Sequence, residues 1–178
     1  MVSNEQEAQQ VVILHIGGFA WPTLLLLVSS AAIYVAAVAH LLTEPTFSWW
    51  ALAGIAFCTY AIYTPLHDAV HGAVTGMSLE RRWINEWTGY VAAHFLGISF
   101  KAHRRSHLKH HRSTNHPSED PDMVLSAVNA HQLVLAWLKG VPKEWLFAFS
   151  FEHFNDAEKV TVRREFIAII LTRLVLLG

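Results

Sequence analysis

From Val11 to Leu42 the chain is almost wholly apolar, interrupted by His15, Pro22, Ser29 and Ser30. A bilayer core takes roughly 20 apolar residues as helix, so this stretch predicts a membrane span with length to spare. Thr43-Glu44-Pro45-Thr46 then breaks the run with a helix-stopping proline. Phe47 to Leu66 is a second run of spanning length, opened by Trp49 and Trp50, whose rings suit the membrane–water boundary. Residues 11–66 therefore predict a transmembrane hairpin. Pro65 is a candidate kink, and Gly72 and Gly76 favour the end of the second helix.

Beyond Gly76 the pattern becomes mixed. Trp83 to Phe100 is apolar with polar interruptions and predicts a helix lying in or near the interface. "RSTNHPSEDPD", Arg112 to Asp122, is a loop by its Pro, Asn and Ser content. Val124 to Phe154 is apolar again but cut by "KGVPKE", and each half is too short to cross a bilayer. Interfacial helices are predicted there. Phe166 to Gly178 reads as the start of a further span that contains Arg173 and stops after 13 residues. The expectation is the front portion of a longer protein. Its 178 residues are read as one all-α integral membrane domain, multi-pass, with a histidine-rich region over 67–122.

Composition agrees with this pattern. The chain is 53% hydrophobic and 15% charged, against about 25% charged in soluble domains. Cys58, the single cysteine, rules out a disulfide framework and a cysteine-rich zinc site. Met1 to Gln10 is polar and acidic, so no cleavable export signal is read there. All 13 Lys and Arg lie after Glu80. By the positive-inside rule the histidine-rich side faces the cytoplasm and Thr43 to Thr46 face outward. No nucleic-acid partner is expected.

The chemistry is concentrated in "HRRSHLKHH", His103 to His111, with four histidines among nine residues. At about 100° per residue, His103, His107, His110 and His111 share one helical arc of about 100°. Arg105, Lys109 and Arg112 fall on the opposite side, facing water or anionic headgroups. "HDAVH" places His67 and His71 four apart, again on one face. A metal keeps crowded imidazoles neutral by competing with protons, so two such stripes predict a metal site, with ligands enough for more than one ion. Ligand type alone leaves iron, zinc, copper and nickel open. Asp68 either orients a ligand ring or faces water at the helix end; Asp120 and Asp122 either orient rings or cap the next helix. His15, His40, His131 and His153 are isolated and read as interfacial or packing residues, and His116 as structural; His94 stays open.

"HDAVHG", followed by "HLKHHRSTNHPSEDPD", resembles the first two histidine boxes of the membrane fatty acid desaturase superfamily. His67 and His71 match the first box; His107, His110 and His111 match the second. The likeness covers roughly residues 50–125. His103 departs from the pattern and is carried as an extra ligand candidate. The resemblance implies two non-haem iron ions held by eight or nine histidines at the cytosolic face, with O2 as co-substrate. It implies a membrane lipid or acyl substrate in an apolar channel, and an electron donor such as a ferredoxin or a cytochrome b5-type protein. The outcome it implies is loss of two hydrogens from an unactivated chain to give a double bond. The family's third histidine box has no counterpart after His131, so the 178 residues alone are expected to be inactive.

Other readings compete. "HDAVHG" also resembles the first box of β-carotene ketolases and hydroxylases of the same superfamily. A zinc protease would need Glu where Asp68 stands and leaves the second stripe unexplained. A bis-histidine haem carrier would place one ring on each of two facing helices. A histidine-rich metal transporter, the non-enzymatic rival, would place polar residues inside its spans, whereas Glu44 is the only charge between Val11 and Leu66.

Overall fold

The computed structural model describes residues 18–177 apart from Pro45 and Met77. Among the described residues six α-helices follow one another: α1 Trp21–Thr43, α2 Trp49–His71, α3 Arg82–Leu96, α4 Phe100–Arg112, α5 Ala130–Ser150 and α6 Asp156–Leu177. Met123–Leu125 forms a 3-10 turn, and no strand occurs among the described residues. The chain divides into two compact units at Leu96/Gly97.

In the first unit α1 and α2 run antiparallel. Ala20 N–H donates to Val74 O at 2.9 Å and Thr23 Oγ1 to Asp68 Oδ2 at 2.6 Å, joining the start of α1 to the end of α2. At the other end His40 packs on Trp50, ring centroids 4.5 Å apart. Each helix has 23 residues, about 35 Å at 1.5 Å per residue and enough for a bilayer core of about 30 Å. The first begins with Pro22 in its opening turn rather than at Val11; Val11–Gly17 of the expected span lies outside the described residues. Among the described residues α1 is the one helix that is both long and apolar enough to cross a membrane. Only 17% of its most apolar stretch is buried, so it is no soluble core helix. In α2 the tryptophans, tyrosines and threonines dilute the apolar content.

The interface of α1, α2 and α3 is built from Leu27, Ala51, Cys58, Ile62, Leu66, Ala92 and Ala93, all buried. Small residues dominate this set, as suits helices that must approach closely where lipid supplies little hydrophobic driving force. Trp21, Leu25, Trp49, Trp50, Phe57 and Tyr60 point outward. The second helix runs through Pro65 and includes both histidines of the first box, ending at Gly72 with φ +72°.

In the second unit, Gly97 (φ +75°) breaks the chain and Ser99 caps α4, its hydroxyl accepting from Ala102 N at 3.1 Å. The core between α4, α5 and α6 contains Ala102, Ala148, Phe154, Val162, Phe166 and Ile169, with Trp145 and Phe147 against it. The expected break at "KGVPKE" does not occur: α5 continues from Ala130 to Ser150 through Gly140 and Pro142. Buried polar side chains are tolerated in a helix when they are paired, and Lys143 pairs with Asp122 and Glu144 while Trp145 donates to Gly97 O. The final helix starts at Asp156, ten residues before the apolar run that predicted it, because Asn155 caps it through a hydrogen bond with Glu158 N.

Candidate metal centre

In the first unit His67 and His71 occupy successive turns of α2, ring centroids 4.7 Å apart. Asp68 between them is committed chiefly to Thr23; its other oxygen lies 3.9 Å from His67 Nδ1, beyond hydrogen-bond reach. Asp68 therefore fixes the helix pair first and His67 only at second hand. It does not simply face water.

In the second unit α4 carries all four histidines of the stripe. His103 and His107 are buried, His110 and Lys109 half-buried, and His111, Arg105 and Arg112 exposed, so the expected imidazole face is buried only over its first half. The Nε2 atoms of His107 and His111 approach to 3.0 Å. Arg105 is not free for a headgroup, since it pairs with Glu158 at 3.1 Å, and Lys101 pairs with the same carboxylate at 2.9 Å.

The loop after α4 folds back on the stripe. Thr114 Oγ1 donates to His110 O at 2.8 Å, closing the helix, and Asn115 takes the left-handed conformation with φ 63°. This turn brings Asp120 Oδ1 to 2.8 Å from His110 Nδ1. Asp120 also accepts from the amides of Asn115 and Asp122, both at 2.8 Å. Burial alone would raise its carboxyl, but the His110 bond and the two amides outweigh that and hold it at about 2. A carboxylate can only accept, so His110 Nδ1 carries the proton and Nε2 keeps its lone pair. That is how carboxylates orient metal-binding imidazoles. Neither aspartate caps the next helix; Asn129 does, accepting from Gln132 N at 3.0 Å.

His110, Asp120 and Asp122 could by themselves hold a cation. Lys143 Nζ already serves Asp122 at 2.5 Å, so an ammonium takes that place. Sequence reasoning missed Lys143 and Glu144. A lysine–glutamate pair inside an apolar run was the available signal, since such a pair is seldom buried without a partner.

The remaining histidines are accounted for individually. His40 and His153 pack on Trp50 and Phe147, and His116 Nδ1 accepts from Glu119 N at 3.2 Å. His131 is exposed near the start of α5, His94 lies in the last turn of α3, and His15 lies outside the described residues. Imidazoles repeated along one helix face, one of them backed by a carboxylate, form a donor set that suits a first-row transition ion.

A protein-family model described as fatty acid desaturase matches residues 44–178. Comparison with curated proteins and with solved structures finds no match. The matched span takes in well over half the chain and includes both histidine boxes, so the chain belongs to the fatty acid desaturase family.

Proposed function

We propose that this membrane protein of the desaturase class acts on lipid acyl chains through two non-haem irons, most simply by O2-dependent desaturation. The observation that carries the reading is the α4 stripe, with neighbouring Nε2 atoms of His107 and His111 at 3.0 Å and His110 backed by Asp120. Imidazole is a donor that iron accepts. His67, His71, His107, His110 and His111 would hold the ions, with His103 as a sixth candidate and Asp120 and Asp122 fixing ring orientation. When bound, the metal pair would supply oxidation of an unactivated C–H bond by dioxygen and two external electrons.

The protein's own work is to hold the rings, keep them neutral and exclude water from the apolar chain it oxidises. We place α1 and α2 across the bilayer and the histidine boxes on its cytoplasmic side, where a ferredoxin or cytochrome b5-type donor could reach them. The "TN" after His111 favours an acyl substrate, and a β-carotene ketolase is the second reading.

Metal analysis of protein purified from membranes tests the class. Iron without haem is the expected result; zinc would favour a protease or transporter. Labelled fatty acid and β-carotene fed to membranes holding these residues joined to a third histidine cluster separate the two substrates. The six imidazoles here fall short of eight, so the 178 residues as they stand should bind iron weakly and turn nothing over. Tight stoichiometric iron with turnover would overturn that expectation.

A further inference from the structure

Within the second unit one lysine links two of the stripe's histidines through two carboxylates. Lys143 Nζ lies 2.5 Å from Asp122 Oδ1 and 2.7 Å from Glu144 Oε1. Glu144 reaches on to His103 Nδ1, 3.2 Å from its other oxygen. The far oxygen of Asp122 lies 3.7 Å from His110 Nδ1, on the side where Asp120 already holds that ring. The side chains of Lys143 and Glu144 are each 11% exposed and that of His103 is 5%. Burying two charged groups, Lys143 and Glu144, in an otherwise apolar helix is costly, by several kcal/mol per ion even after relaxation. Two apolar side chains of similar volume would close the same space at no such cost. The polar cluster must therefore serve something other than packing.

Its geometry shows what that is. His103 and His110 stand seven residues apart on α4, two turns and about 10.5 Å along the axis. His110 Nδ1 is hydrogen-bonded to Asp120, which can only accept, so that ring carries its proton there; His103 Nδ1 faces Glu144 at ion-pair distance without hydrogen-bond geometry, and the carboxylate's charge favours the proton on that same nitrogen. The ammonium between Asp122 and Glu144 keeps both carboxylates pointing at α4 rather than toward other donors. We propose that Lys143 and Glu144 are positioning residues for the histidine stripe: Lys143 holds Glu144 toward His103, and holds Asp122, whose amide donates to Asp120 at 2.8 Å, so that His103 and His110 stay in the Nδ1–H tautomer. The consequence for metal binding rests on the di-iron reading of the stripe, whereas the tautomer assignment does not.

The test uses the 178-residue protein in detergent, metal-free, with 15N-labelled histidine. Long-range imidazole 15N–1H spectra report which nitrogen carries the proton. Wild type should show His103 and His110 as Nδ1–H. Lys143→Met should shift both toward mixed tautomers, leave His131 and His153 unchanged, and be reversed by Lys143→Arg. Glu144→Met should move His103 and leave His110 in place, which keeps the question answerable if Lys143→Met fails to fold. Nε2–H rings in wild type, unmoved rings in Lys143→Met, or equal movement of both rings in Glu144→Met would each overturn the proposal.

A Co2+ titration then reads the metal consequence. Lys143→Met should lower affinity about 10- to 100-fold, the range typical of outer-sphere partners, with Lys143→Arg restoring it. Shifted tautomers with unchanged Co2+ affinity would overturn the metal part of the proposal. Wild-type protein that binds neither Co2+ nor iron would sink the di-iron reading while the tautomer result still stands or falls alone.

Discussion

Asp120 shows how a loop residue becomes fixed to one task. In sequence it could equally cap a helix or orient a ring; Asn115 at φ 63° decides, because that turn folds the loop back onto His110. The histidine stripe was legible because its spacing is local. Glu144 was not, because its partner His103 lies 41 positions away and nothing in "KGVPKE" names it. Glu158 is a similar long-range partner, and it carries a pH prediction. The Lys101 bond, then the Asn155 amide, hold its carboxyl below the ordinary 4.5 against a smaller opposing effect of burial. A depressed acid stabilises the fold above its unfolded value and loses that contribution as pH falls through the folded one. Glu158→Gln should therefore cost about 0.5–1 kcal/mol at neutral pH and low salt, with the gap to wild type closing in acid. Thermal unfolding of both proteins at two pH values checks this, and a gap that stays constant would argue against it.

Among the elements, helix type was readable throughout and helix limits were not. Apolar runs announced α1, α2 and the second half of α6, since periodicity and length suffice for that. Continuity through Pro142 was hidden. The ring removes the bond to the Leu138 carbonyl, yet Trp145 Nε1 donates to Gly97 O at 2.9 Å just beyond it and helps to pin the helix. The end of α2 is set by Gly72, whose left-handed backbone an L side chain adopts only under strain. A Cβ there would meet no atom within 4 Å, so Gly72→Ala should cost only the conformational term, about 1–2 kcal/mol. Gly72→Asn should cost less. Denaturant unfolding in detergent would register the order; a larger loss for Asn would contradict it.

For the molecule as a whole, membership of a membrane-bound family agrees with the one long, outward-facing apolar helix among the described residues, and the proposed topology is open to direct measurement. With Cys58 replaced by Ala, a cysteine at Thr46 should react with an impermeant maleimide on intact cells. One at Ser118 should react only after permeabilisation, and the reverse pattern would invert the topology. The antiparallel pair in the first unit carries a consequence for such a setting. A lipid-bathed helix can spin about its own axis at little hydrophobic cost, since oily side chains meet oily solvent at every azimuth. Thr23 gripping Asp68 acts as a rotational stop, and His67 and His71, one and three positions away on the same helix, inherit its heading. Thr23→Val would leave every imidazole in place in the sequence while letting the whole pair lose its aim.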